Sequence, residues 1–249
     1  MVAHEDVRVA IHRGRHVSPT VTSRYTVERE CLYDKIDALL PDPGPTRIVS
    51  IAAPAGSGKT VLLSRWCQRL HAAGGWSVAW ITVDDSDNDV EVLFTAVVAA
   101  LAAATGDPVL ASGAEALLAS PGFCRSSTDT SALISDLLDH SSRVCLVMDD
   151  AHLLHDARAI EQLARLFRWA PMSCRLILAG RFEPPLLLTR CRVEGSVTEI
   201  VPRQMNMTTT EARELLSRRS FEVDDNVLTA LMIKTEGWAA GLQLAALTA

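Results

Sequence analysis

The sequence lacks the segments that direct a chain into a membrane and the spacing that marks a metal or disulfide framework. Its longest apolar run, AVVAALAAA at 96–104, is too short to span a bilayer, and the N-terminus has no apolar signal segment. The six cysteines show no Cys-x-x-Cys spacing, and several lie within apolar runs. This usage predicts reduced core thiols in a cytoplasmic protein.

Positive charge is also scarce. The chain has 24 Lys and Arg residues against 30 Asp and Glu residues, a net charge of −6, which gives no bulk electrostatic reason to bind nucleic acid. The small basic cluster at 8–16 has no interleaved aromatic residues of the kind that stack on single-stranded bases. Neither a membrane nor direct DNA binding is therefore expected for this chain.

The chain does contain a repeated alternation of strand and helix patterns. Short apolar runs separated by helical patterns predict strands at 47–53, 76–83, 143–150, 174–180 and 197–201. Continuous apolar strands with intervening helices are typical of a parallel sheet covered on both faces. The predicted fold class is therefore α/β.

The two ends of the chain differ from this central part. Residues 1–23 show no periodicity and are predicted to be a poorly ordered extension, whereas residues 24–203 form the α/β domain. A Thr208-x-x-Glu211 capping box opens an all-helical part at 204–249. The final apolar helix has no polar tail, so we expect a truncated gene product, an expressed fragment or a free-standing remnant.

A phosphate-binding pattern follows the first predicted strand. Residues 53–60 read Ala-x-x-x-x-Gly-Lys-Thr, the P-loop pattern with its first glycine replaced by Ala53. Glycines let backbone N–H groups turn toward an anion at a helix N-terminus. The pattern directs Lys59 to the β- and γ-phosphates and the Thr60 hydroxyl to Mg²⁺. The alternative is a chance Gly-Lys turn, against which the flanking strand and amphipathic helix argue.

Polar residues also end two later strands. Asp149 is expected to hold Mg²⁺ through water and Asp150 to orient or deprotonate the attacking water, while the alternative is a pair of solvated carboxylates. Arg181 either stabilises the γ-phosphate or is a surface arginine. His152 either relays the nucleotide state or packs beside the acidic strand.

Several collinear stretches together resemble a known family. They are VERECLYDKIDALL, APAGSGKTVLLSRW, VAWITVDDSDND, LVMDDAHLL, LILAGR and GWAAGLQLAAL. In this order they resemble the signal-transduction NTPases with numerous domains (STAND), in the MalT-like branch of large LuxR-type transcriptional regulators. The resemblance covers about residues 24–249.

This resemblance implies a three-layer P-loop NTPase with sheet order 5-1-4-3-2, followed by a small all-α segment. It assigns Thr60 and Asp149 to the metal, and Lys59, Asp150 and Arg181 to catalysis. The residues that it assigns to nucleotide binding are Arg29, Pro54, Ala55, Gly56, Ser57, Gly58, Lys59, Thr60 and Val61. Two departures lie on the adenine side: Glu28 stands where Gly or Pro is usual, and Ala239 replaces a common proline.

The function implied by the resemblance is a regulatory switch. ATP with Mg²⁺ favours an open, assembling state and ADP a closed one, with slow hydrolysis resetting the switch. The implied partners are nucleotide and either a second copy or other regulator domains. The winged-helix, sensor and helix-turn-helix domains of the family are missing from these 249 residues. The alternatives are a P-loop phosphotransferase and a non-enzymatic, partner-binding remnant.

Overall fold

The computed structural model describes residues 25–41, 44, 46–106, 112–113, 116, 143–183 and 188–248. The predicted extension at 1–23 lies outside these residues. All predicted strands are confirmed: the strand at 174–180 keeps its predicted bounds, and the others are shorter by one residue at one or both ends. The strands are β1 (Ile48–Ala52), β2 (Ser77–Thr82), β3 (Val144–Asp149), β4 (Cys174–Gly180) and β5 (Val197–Ile200).

The strands form one parallel sheet in the order β2-β3-β4-β1-β5. This confirms the predicted order 5-1-4-3-2. Strand β4 lies between β1 and β3, and pairs Ala52 with Gly180. Because parallel strands end at the same edge of a sheet, the ends of β1, β3 and β4 meet there. This edge carries the polar residues predicted to act on a nucleotide.

Helices precede, connect and follow the strands. They are α1 (Glu30–Asp37), α2 (Lys59–Ala73), α3 (Val90–Thr105), α4 (Ala157–Trp169), α5 (Thr189–Val193), α6 (Pro202–Met205), α7 (Thr209–Arg218), α8 (Asp225–Thr235) and α9 (Ala239–Thr248). The side chains of Asp89, Asp156, Thr208 and Asp224 cap α3, α4, α7 and α8. The capping box predicted at Thr208 is therefore confirmed.

The sheet separates two hydrophobic clusters, as a three-layer α/β fold requires. On one face, Val49 and Ile177 pack with Ile36 of α1 and Leu63 of α2. On the other face, alternate strand residues pack against α3 and α4, Phe94 and Leu163 among them. Successive side chains of a strand point to opposite faces, so side chains on both faces of the sheet are covered by helices. No described helix is long and apolar enough to cross a membrane.

The helices after residue 203 have a cluster of their own. Leu215 and Leu216 of α7 pack with Leu228 of α8 and Leu242 of α9, and Val27 joins them from the segment before α1. We call residues 204–248 the helical segment. The domain boundary that we place at 203–204 stays a prediction.

The acidic run at 84–89 serves as a pair of caps, because Asp84 caps a 3-10 turn at Asp85–Asn88 and Asp89 caps α3. The prediction of core thiols holds for Cys67, Cys145 and Cys174, which are buried. It is wrong for Cys31, which is exposed because Leu32 takes the buried position on α1. Cys124 lies outside the described residues.

Candidate functional site

The P-loop (residues 53–60) connects β1 to α2 with its backbone turned by two glycines. Gly56 and Gly58 have φ of +73° and +89°, a conformation that other residues adopt only at a cost. No side chain caps α2, in contrast to the four helices capped by Asp or Thr. The Ser57 Oγ is buried without a hydrogen-bond partner among the described residues. An uncapped helix start beside a buried hydroxyl is suited to an anion.

The side chain of Lys59 folds back onto the start of the P-loop. Its Nζ donates to the carbonyl oxygens of Ala53 at 2.8 Å and Pro54 at 3.0 Å, and the residue is 7% exposed. Burial lowers the pKa of Lys59, Asp149 and Asp150 act in the opposite direction, and Arg181 lowers it further. The ammonium group is therefore held by carbonyl dipoles with two carboxylates nearby, and a phosphate would add a further counter-charge.

Thr60 and Asp149 are joined directly. The Thr60 hydroxyl donates to Asp149 Oδ2 at 2.6 Å, although the two residues are 89 positions apart. Burial raises the pKa of Asp149, which is 2% exposed, and the Thr60 hydrogen bond lowers it in part. One hydroxyl and one carboxylate are the oxygen donors that Mg²⁺ takes from a protein when phosphates and waters complete its shell. The described residues contain no group of three or more His, Cys, Asp or Glu side chains that could hold a metal ion.

Asp150 and His152 follow in a tight turn after β3. Asp150 adopts φ of +54° and its N–H donates to Asp149 Oδ1 at 3.0 Å. The His152 Nδ1 lies 3.8 Å from Asp150 Oδ1, and the His152 ring meets Phe182 edge-on at 5.5 Å. Non-glycine residues with positive φ concentrate at functional sites. The turn thus places the Asp150 carboxylate at the sheet edge with Asp149 and Lys59.

A cavity of about 250 Å³ opens beside the P-loop, between the α/β core and the helical segment. Residues from both parts line it. They are Tyr25, Thr26, Val27, Arg29, Tyr33, Ser57, Gly58, Val61, Leu62, Arg65, Met207, Leu215, Arg219, Ala239 and Gln243. Its mixture of apolar walls and a few polar groups is typical of a small-molecule site.

Known proteins are similar to this chain in sequence and in architecture. The family model described as Novel STAND NTPase 5 matches residues 18–112. The HTH-type transcriptional regulators MalT of Klebsiella pneumoniae and Serratia proteamaculans are 32% and 31% identical, over 94% and 90% of this chain and 25% and 24% of their own length. A STAND protein with a tetratricopeptide repeat sensor from Pyrococcus horikoshii aligns with a TM-score of 0.56 at 17% identity, over 88% of this chain and 29% of that one.

The chain is similar to MalT in sequence, and its first half contains a match to a STAND NTPase family model. It spans about a quarter of the length of the curated MalT relatives that it matches. The relative of known structure supports the fold alone, because its sequence identity is low.

The structure brings most of the predicted site residues of this STAND-like chain to one place. Pro54, Ala55 and Val61 belong to the P-loop or to the first turn of α2. Arg181 immediately follows β4 and lies close enough to Lys59 to affect its pKa. Arg181 is also exposed, and its role at the γ-phosphate stays a prediction.

Arg29 differs from the other predicted residues. It lines the cavity, but its guanidinium donates to the carbonyls of Met205 at 2.8 Å and Asn206 at 2.9 Å and to Glu211 at 3.1 Å. These partners hold Arg29 between the core and the helical segment. A direct contact of Arg29 with a nucleotide base stays a prediction.

Glu28 and Ala239, which depart from the family pattern, both contact residues of the cavity wall or line it themselves. Glu28 accepts a hydrogen bond from the Tyr33 hydroxyl at 2.9 Å and forms an ion pair with Arg65 at 2.9 Å. Burial raises the pKa of Tyr33, and Glu28 adds to the effect. Ala239, at the start of α9, is buried in the cavity wall.

The helical segment contributes polar residues to the cavity that the sequence did not predict. The Arg219 guanidinium lies 4.6 Å from the centre of the Tyr25 ring and donates to Gln243 Oε1 at 3.2 Å. The Arg219 Nε is buried without a hydrogen-bond partner among the described residues. No motif marks these residues, because their proximity depends on how α7 and α9 pack.

Proposed function

We propose that this module binds ATP and ADP with Mg²⁺ at the P-loop and hydrolyses ATP slowly as the switch of a transcriptional regulator. The observation that carries the proposal is the uncapped start of α2, with Lys59 and the Thr60–Asp149 pair beside it. Phosphate is the anion that this combination of amides, ammonium group and metal ligands suits best.

The residues divide the work as follows. Lys59 leaves the Ala53 and Pro54 carbonyls and binds the β- and γ-phosphates. Thr60 and Asp149 hold Mg²⁺, which when bound neutralises charge on the phosphate oxygens. Asp150 orients the attacking water and accepts its proton, and Arg181 stabilises charge on the γ-phosphate. The module thereby supplies both the binding site and the base for in-line attack.

The cavity beside the P-loop is the proposed place of the base and ribose. Its apolar side chains, Val27 and Leu215 among them, offer a surface for a planar base. The buried Arg219 Nε offers a donor that has no protein acceptor among the described residues. Because its walls belong to both the core and the helical segment, a bound nucleotide would tie the two parts together.

Isothermal titration with ATP and ADP in the presence of Mg²⁺ tests the proposal. The parent is expected to bind in the micromolar range, about −8 kcal/mol, and Lys59→Ala to lose most of this affinity. Lys234→Ala is the matched control, because Lys234 is an exposed lysine on α8. If Lys59→Ala and Lys234→Ala both bind as the parent does, the phosphate site is wrongly assigned.

Self-association is a second candidate property, and one observation favours it. Ile233 of α8 and Leu244 and Leu247 of α9 are large apolar side chains with more than half of their surface exposed. Such side chains on neighbouring helices are suited to contact with another apolar surface. We propose a second copy of the module as the partner. Sedimentation velocity with ATP and with ADP tests this, and a monomer in both states would contradict it.

A further inference from the structure

The P-loop carbonyl groups are held by donors from two sides. The Lys59 Nζ bonds to the carbonyls of Ala53 and Pro54. The next two carbonyls face the start of α9, where the Trp238 Nε1 donates to Ala55 at 2.9 Å and the Ala240 N–H donates to Gly56 at 3.1 Å. Four consecutive carbonyls are thus occupied, two of them by residues more than 180 positions away.

The contact between loop and helix is close. A Cβ added to Gly56 would lie 2.6 Å from Ala240 Cβ and 3.0 Å from Trp238 Cζ2. Neither distance is compatible with an ordinary carbon contact. Glycine at position 56 is therefore required by the approach of α9 as well as by its positive φ.

The orientation of the P-loop carbonyls determines the orientation of the P-loop N–H groups. The peptide unit is planar and trans, so its N–H points opposite to its C=O. With the Ala55 and Gly56 carbonyls directed at α9, the N–H groups of Gly56 and Ser57 point to the other side of the loop. The Ser57 N–H has only a long contact of 3.3 Å to Pro54. These are the groups that a P-loop presents to phosphate.

The two sets of donors lie differently with respect to a phosphate. Lys59 would have to leave its carbonyls in order to reach the anion, whereas the Trp238 and Ala240 donors contact the side of the loop opposite to the amides. We propose that Trp238 is a positioning residue whose indole N–H holds the P-loop amides in their phosphate-receiving orientation, so that the helical segment completes the nucleotide site. This inference rests on the proposed nucleotide binding.

The experiment compares Trp238→Phe with Trp80→Phe. The Trp80 indole donates to Thr82 Oγ1 at 3.1 Å on β2, so this control loses the same type of hydrogen bond away from the P-loop. Because Trp238 is 40% exposed and Trp80 only 1%, Trp238→Phe removes less packing than its control does. A second variant, Trp238→Leu, repeats the loss of the donor should Trp238→Phe fail to fold.

The readout is the ratio of affinities for ADP–Mg²⁺ and for adenosine, which has no phosphate, with adenosine binding followed by NMR. We expect Trp238→Phe to lower ADP affinity roughly 5- to 10-fold, the effect of one lost hydrogen bond, and to leave adenosine affinity unchanged. Trp80→Phe should leave the ratio at the parent value. Equal ratios in the two variants would overturn the positioning role.

A nucleotide-free measurement separates this inference from the proposed function. Amide hydrogen exchange at residues 239–242 should accelerate in Trp238→Phe and not in Trp80→Phe, because the Ala240 N–H bonds to the same loop. If the parent binds no nucleotide, the proposed function fails and this comparison still decides whether the indole holds the loop. Unchanged exchange would overturn the inference.

Discussion

The Thr60 hydroxyl donates to Asp149 Oδ2 at 2.6 Å, and this bond crosses the end of the strand that separates β1 from β3. That strand, β4, ends at Gly180, where an added Cβ would lie 3.0 Å from both His152 and Phe182. A larger residue at position 180 would press on the turn after β3, which carries Asp150 and His152. The small residue at the end of β4 therefore fits the close approach of this turn.

Substitution of Thr60 tests its part in metal binding. Thr60→Ala removes the hydroxyl, whereas Thr60→Ser retains it. We expect Thr60→Ala to raise the Mg²⁺ concentration needed for tight ADP binding by roughly 10-fold, since loss of a group at a metal site has effects of this size. Thr60→Ser should remain within about 3-fold of the parent. Titration of ADP affinity against Mg²⁺ measures this, and equal curves for Ala and Ser would contradict the assignment.

Asp150 offers a test of the catalytic proposal. Asp150→Asn removes the base while retaining an oxygen at the same position, so ADP affinity should change little. Phosphate release in a single turnover of ATP should slow roughly 100-fold, the lower range for loss of a general base. Asp85→Asn, in the exposed 3-10 turn after β2, is the control. Turnover equal to that of the control would remove the proposed role of Asp150.

The strands and the P-loop could be predicted because their signals are local. Each strand is a short apolar run, and the glycines, Lys59 and Thr60 lie within a few positions of one another. The meeting of Thr60 with Asp149 also followed, because parallel strands present their carboxyl ends at one edge. Periodicity and the known behaviour of parallel sheets were sufficient for these features.

The remaining contacts depend on partners far away in sequence. Arg175 lies within a strand that reads as apolar, yet it is fully buried, because its guanidinium donates to the carbonyls of Leu39 and Pro41. These partners are 136 and 134 positions away. The bonds from Trp238 and Ala240 to the P-loop have the same long-range character. Such contacts depend on tertiary packing and cannot be predicted from a local sequence pattern.

The charge on Asp149 gives a pH prediction. Burial raises its pKa above the ordinary value of 3.8, so the folded state binds a proton more tightly than the unfolded state does. As pH rises from below 3.8 through the raised pKa, the unfolded state binds fewer protons than the folded state does. The free energy of unfolding therefore falls. The nucleotide-free parent should therefore lose stability relative to Asp149→Asn across this range.

Urea unfolding at a series of pH values measures the difference between the two proteins. Asp34→Asn, at an exposed position on α1, is the control. The difference between Asp149→Asn and the parent should grow with pH and then level off above the raised pKa. A difference curve of the same shape for Asp34→Asn would contradict burial as the cause.

Arg29 provides the last prediction, on the connection between the core and the helical segment. Arg29 is 8% exposed, and its guanidinium donates to the carbonyls of residues 204, 205 and 206 and to Glu211. Arg29→Met leaves these acceptors without their donor, so we expect a loss of about 3 kcal/mol in the free energy of unfolding without nucleotide. Arg69→Met removes an exposed ion pair with Glu30 and should cost less than about 0.5 kcal/mol. Urea unfolding compares the two, and a similar small loss in both variants would show that Arg29 does not hold the helical segment to the core.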